Sequence, residues 1–240
     1  MKRNSLSYRT ALVIPALIAF AGCASSSKEV VGLRQVDGLV GRVERVYVEA
    51  EISGEAARRA LKTFEALVAP ELDQDPILAF GEFVAAVDAS ELQAKALGST
   101  IDPLRSSADK VFAQWTTDLE TYTTDTLRQR SKVRLEETRA RYTEVLTAVQ
   151  ASHQAYVSFN QRVRDYAKFL GHDFNPAAVA ALREDVDSLT ELDIDLEERL
   201  EACMKASEGY VKSAALPGTL ELRPSSRTEG VSASEEEEEL

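Results

Sequence analysis

Two thiols, two imidazoles and an excess of carboxylates are the groups in this 240-residue chain with the chemistry for catalysis or modification. Their spacing decides how far each can go. Cys23 follows the small residues Ala21 and Gly22 at the end of the apolar run Ala11 to Phe20, so its thiol is placed for acylation rather than for turnover. Cys203 is left alone on a helical stretch, where it reads as a small buried residue with no disulfide partner. His153 adjoins an apolar stripe and reads as a partly covered structural histidine; His172 falls in a turn, where it can cap a helix end. Neither is spaced with Cys or Glu as zinc ligands are. Asp185, Asp187, Asp193, Asp195, Glu197 and Glu198 crowd one helix, but a di-metal bundle needs Glu-x-x-His on facing helices and the sequence contains none. They read as a solvated acidic face. Asp193 differs, because it falls at a position of the apolar stripe; a buried carboxylate must find a partner or raise its pKa, and Arg139 and Arg162 are the candidate partners. No catalytic, metal or cofactor site is expected, and the chain reads as non-enzymatic.

The formal charge is -12, and removing the three positive charges of Lys2, Arg3 and Arg9 with residues 1–22 takes it to -15. Such an anion is repelled by nucleic acid, so nucleic-acid binding is not expected. Arg128, Arg130, Lys132, Arg134, Arg139 and Arg141 form one basic stretch beside Glu136 and Glu137. It reads as a solvated helix face with internal ion pairs, the rival being contact with an anionic polymer or lipid headgroup.

The first 23 residues have three zones: a basic start, the apolar run, and Phe20-Ala21-Gly22-Cys23. An apolar run from Ala11 to Phe20 is too short to span a bilayer, which takes about 20 helical residues. It reads as a signal-peptide core, and the tetrapeptide resembles the bacterial lipobox, with Phe20 where Leu is usual. The expectation is a lipoprotein acylated on Cys23, with Ala24 after the cysteine pointing to the outer membrane. Cleavage after Ala19-Phe20-Ala21, releasing a soluble periplasmic protein, is the alternative.

These groups have to be positioned by helices. Only 11 Gly and 7 Pro interrupt the chain, and the apolar residues recur at three-four spacing. After a polar tether (23–35), a first helix carries Val43, Val46, Ala50, Ser53, Ala57, Ala60, Phe64 and Leu67 on one stripe and stops in the segment Pro70 to Pro76. A second places Ile77, Phe80, Val84 and Val87 on one side, then Leu104, Ala108, Val111, Trp115, Leu119 and Tyr122. Between them Asp102 reads as an N-cap and Pro103 as the first helical residue of a kink or a new helix. The chain is expected to reverse at Thr123-Thr124-Asp125. The third helix keeps a strict heptad through Leu135, Thr138, Tyr142, Val145, Val149, Ser152, Tyr156, Phe159, Val163, Tyr166 and Leu170, a seam that must face another helix. Gly171 suits a left-handed C-terminal cap, and Asn175-Pro176 opens the fourth helix, with Val179, Leu182, Val186, Leu189, Leu196, Leu200 and Cys203. The fold class is therefore all-α: an elongated antiparallel bundle of about four long helices over 36–216 with coiled-coil-like packing. Residues 217–240, with the run Glu235 to Glu239, are too polar to bury a core and read as a disordered acidic tail.

The residues Phe112-Ala113-Gln114-Trp115, Tyr122, Leu127-Arg128, Ser131, Leu135, Thr138 and Arg141-Tyr142, with Phe169-Leu170-Gly171-His172 and Asn175, resemble a family of helical bacterial proteins known only as a domain of unknown function. The resemblance spans Val36 to Ala214 and implies a lipobox near the start and a helical, coiled-coil-rich body, but no activity. At the junction this chain has Gly171-His172-Asp173-Phe174-Asn175 where a more basic sequence is usual. The functional expectation is an envelope lipoprotein whose helical faces bind a protein partner. The alternative is a helical carrier that holds a small apolar ligand or lipid with Trp115, Tyr122, Tyr142, Tyr156, Phe159 and Tyr166. Partner binding calls for apolar side chains left exposed after the bundle closes; a carrier calls for an enclosed apolar cavity.

Overall fold

A computed structural model describes residues 26–214 apart from 73, with side-chain surroundings from Gly38 onward. The segments expected to form a signal peptide (1–22) and an acidic tail (217–240), and Cys23, the expected site of acylation, lie outside the described residues. Among those described, every regular element is helical: α1 (Ser26–Val68), α2 (Pro76–Ser99), α3 (Ile101–Leu119), α4 (Asp125–His172), α5 (Pro176–Ala181), a 3-10 turn (Leu182–Asp185) and α6 (Val186–Ala214). They make four lanes in the cyclic order α1, α2 with α3, α4, then α5 with α6.

The lanes run antiparallel. Arg164 of α4 meets Asp88 of α2, while Arg139, further back on α4, meets Phe112 of α3. Ser152 Oγ of α4 donates to the Arg199 carbonyl of α6 at 2.8 Å, and Arg58 of α1 pairs with Glu197 of α6 at 2.6 Å. At about 1.5 Å per residue, the 48 residues of α4 form a rod of about 72 Å.

The α1 stripe is buried throughout from Val43 to Leu67. Along α4 every heptad position from Leu135 to Leu170 is buried except the half-exposed Thr138. Asn175 caps α5, its Oδ1 accepting from the amides of Ala177 and Ala178 at 2.9 Å each, with Pro176 at the first helical position.

Six details differ from the sequence reading. Residues 26–35, expected in the polar tether, are helical: Glu29, Leu33, Arg34 and Gln35 are good helix formers, and extending an existing helix is far easier than nucleating one. The buried face of α2 is Ala79, Phe83, Ala86, Val87, Ser90, Ala94 and Leu97, whereas Ile77 is 76% exposed. Apolar residues surround the start of this helix, so its periodicity does not single out a face. Tyr122, read as the end of the α3 stripe, is exposed beyond the helix.

The cap between α2 and α3 is Thr100, not Asp102. Thr100 stays right-handed (φ -76°, ψ -24°), so α2 and α3 continue as one lane, and the ladder breaks because Pro103 has no N–H for the Ser99 carbonyl. Asp102 lies in the first turn of α3, where its charge faces the positive end of the helix. Gly171 is helical, not a left-handed cap: α4 runs on to His172 and ends at Asp173 with φ -149°. The fourth lane is split by the 3-10 turn, which brings Arg183 over the end of α1. There Arg183 Nε donates to the Val68 carbonyl at 2.7 Å and Nη2 to that of Ala69 at 3.4 Å, supplying the cation that the last turn of α1 lacks.

With both side chains fully buried, Tyr156→Ala and Phe159→Ala should each destabilise the protein by about 3–5 kcal/mol. The exposed neighbours Gln154 and Gln161 should tolerate Ala within about 0.5 kcal/mol. Chemical denaturation of the four variants measures the contrast, and equal small losses at all four positions would remove α4 from the centre of the bundle.

Candidate functional site

The polar groups converge most densely in the groove between α2 and α4, which has a volume of about 340 Å³. Arg164 projects from α4 across it, with Nε on Glu91 Oε1 at 2.7 Å and Nη2 on Asp88 Oδ1 at 2.5 Å. Two carboxylates hold one guanidinium in a fixed fork, and their hydrogen bonds push its pKa above the ordinary arginine range. Beside it Lys168 pairs with Asp165 at 3.5 Å, and Lys95 makes no ion pair among the described residues.

Further along, His153 rests on the backbone of α2 at Gly98. A Cβ on Gly98 would stand 2.5 Å from His153 Nε2, so the ring sits in space that any other residue would fill. Between Arg164 and His153, Asn160 is only 5% exposed. Its Nδ2 donates to the Ser90 carbonyl at 3.4 Å, and its Oδ1 has no donor.

The core beneath is also polar. Ser90 Oγ donates to the Tyr156 hydroxyl at 3.1 Å, and burial pushes that phenol up to about 12. Across α1 and α2, the buried carboxylate of Glu49 receives Arg45 at one oxygen and Gln93 Nε2 at the other, the latter at 2.6 Å.

Asp193 is 6% exposed on α6, and its Oδ1 has no partner. Burial raises its pKa to about 6, reinforced by Glu197 and Glu65 and opposed by Arg58. Neither arginine expected to answer it does so. Arg139 is turned toward α3, where Nη2 donates to Thr116 Oγ1 at 2.8 Å and the guanidinium lies over the Phe112 ring, while Arg162 is exposed. Arg58, the nearest cation, is taken by Glu197.

Other candidates fall into place singly. Cys203 is fully buried and its thiol is pushed up to about 11, which removes thiolate chemistry at neutral pH. His172 is exposed in the last turn of α4, a favourable place for a cation. Asp195 is held by Arg199 through two bonds of 2.8 Å, which lower its pKa. In the basic stretch, Arg128 pairs with Asp125 and Arg141 lies 3.9 Å from Glu137. The aromatics pack on core neighbours: Tyr166 stacks on Phe64 with centroids 4.8 Å apart, Tyr142 meets Phe112 edge-on, and Trp115 Nε1 donates to Ser131 at 2.8 Å. Among the described residues no three His, Cys, Asp or Glu side chains gather as metal ligands.

Asn160, Arg164 and Gly98 were not singled out from the sequence. The available signals were small: an amide beside Phe159 on the seam, and a glycine inside an otherwise good helix.

A family model described as a protein of unknown function (DUF2959) matches residues 25–214. No curated protein matches the sequence.

Because the pKa of Asp193 is raised from 3.8 to about 6 on folding, its contribution to stability is complete below about pH 4 and is lost as pH rises through 6. The loss amounts to about 2–3 kcal/mol at pH 8. Asp193→Asn should match the parent at pH 4 and exceed it by about 2 kcal/mol at pH 8. Urea unfolding at both pH values tests this, and a stability difference independent of pH would show that the carboxylate is solvated.

Proposed function

The chain belongs to this family of proteins of unknown function, and from that premise we propose that it is a non-enzymatic lipoprotein of the cell envelope, acylated on Cys23, that presents a helical rod to a protein partner. The observation that carries the reading is the short distance in sequence between Cys23 and the bundle. Helix α1 starts at Ser26 and runs 43 residues to Val68, so an anchor at Cys23 is joined to a rod of about 64 Å. No described helix is long and apolar enough to cross a membrane; in the proposed reading the acyl chains on Cys23 hold the protein at the outer membrane.

The end of the rod away from Ser26 supports a contact role. Ile77, Leu78 and Phe169, which are 76%, 57% and 46% exposed, all lie there. The carrier reading draws less support, because Tyr156 and Phe159 are fully buried and the other core aromatics pack on one another.

Cys23→Ser should move the protein from the membrane fraction to precursor or soluble forms and abolish incorporation of a labelled fatty acid. Identical fractionation and labelling of the two proteins would overturn the anchor.

A further inference from the structure

We propose that the acidic run Glu235 to Glu239 docks on a basic strip of the same chain, Arg130 and Arg134 near the start of α4, and shields that strip from other anions. The proposal is independent of acylation at Cys23.

The helix register locates the strip. Ser152 of α4 meets the Arg199 carbonyl of α6, so the antiparallel α6 brings its last described residue, Ala214, level with about Glu137. Counting from the Arg58–Glu197 pair puts Ala214 level with about Gly41 of α1. From there α4 runs back to Asp125 and α1 to Ser26, about 18 and 22 Å beyond the described end of α6. Arg134 precedes Ser152 by five helical turns and so lies on the side of α4 that α6 covers further along, with Arg130 one turn earlier. Among the described residues nothing covers that side here: every residue from Thr121 to Arg134 is exposed except the half-buried Ser131. A depression of about 450 Å³ lies against Gln129, Arg130, Val133 and Arg134.

The two arginines are uncommitted, unlike their neighbours. Arg128 is taken by Asp125, Arg139 lies over the Phe112 ring, and Arg141 faces Glu137. Arg130 and Arg134 make no ion pair among the described residues.

One segment of the chain has both the matching charge and the reach. Glu235 to Glu239 are five consecutive carboxylates, and no basic residue follows Arg227. The acidic run is joined to Ala214 through residues 215–234, and a chain of that length spans about 25 Å root-mean-square, more than the strip requires. Such a tether holds the carboxylates at about millimolar effective concentration. Exposed ion pairs are weak singly; several made together under a tether hold the run in place without a folded tail. Tethering also favours the chain's own run over that of a second copy, whose net charge of -12 repels the first.

The test uses the full chain in detergent. Arg134→Lys places an amine in the strip, and the native Lys132, on the opposite side of α4, is the internal control. A water-soluble carbodiimide joins a carboxylate to an amine only where the two touch, and trypsin releases the acidic run as the peptide 228–240. Position 134 should couple to that peptide about ten-fold more than Lys132 does, and about 0.5 M sodium chloride should suppress the coupling by about five-fold or more. Adding Arg130→Gln should lower it by about three-fold. In a mixture of isotopically labelled and unlabelled protein the coupling should stay within single chains. Equal coupling at 132 and 134, no coupling at either, or coupling between labelled and unlabelled chains overturns the proposal. Absent coupling together with Arg130→Gln weakening the binding of phosphatidylglycerol nanodiscs, but not of phosphatidylcholine nanodiscs, overturns it in favour of an anionic lipid surface.

Discussion

The bundle depends on one constraint: the apolar seam of α4 has to be withdrawn from water along its whole length. Leu135 to Leu170 cover more than nine turns of a helix too polar on its other faces to be buried outright. A stripe at three-four spacing is covered by helices lying nearly along it, and three do so: α3 and then α2 on one flank, α6 on the other, with α1 across the axis. The loops are short because neighbours must run antiparallel, and they fall where Pro70, Pro76, Asp125 and Pro176 stop or start the helices.

Apolar stripes hold helices together without fixing how far one slides past another, since a shift of one heptad restores most contacts. The buried polar groups resist such a shift. Ser152 finds the Arg199 carbonyl, Ser90 the Tyr156 hydroxyl and Gln93 the Glu49 carboxylate at one register only, and each bond crosses a different helix pair. Asp193 is the exception, buried without an answering cation because Arg58 prefers the better solvated Glu197. Its charge subtracts from stability at neutral pH and adds nothing to the register.

What the sequence discloses follows from the same distinction. The stripes of α1 and α4 and the Asn175-Pro176 start depend on neighbours within a few residues, and they are legible. The face of α2 is not, because Ile77, Leu78, Phe80, Phe83 and Val84 present apolar surface in every direction and only the small Ala79, Ala86 and Ala94 let the neighbouring helices close in. Gly171 has the form of a helix end but is overridden by a helix that continues to His172. The groove requires knowing that α2 lies beside α4, since its residues are separated by more than 50 positions in the chain and carry no shared motif.

The cap on α1 has a consequence for the order in which the molecule matures. The carbonyls of Val68 and Ala69 are satisfied by Arg183, separated from Val68 by 115 residues. A nascent chain therefore displays the first helix with its far end open until most of the protein has been synthesised, and long-range closure of this kind slows the final step of folding. Arg183 acts as a latch between the earliest and latest parts of the chain, so truncated products should carry a frayed first helix that quality-control proteases can grip.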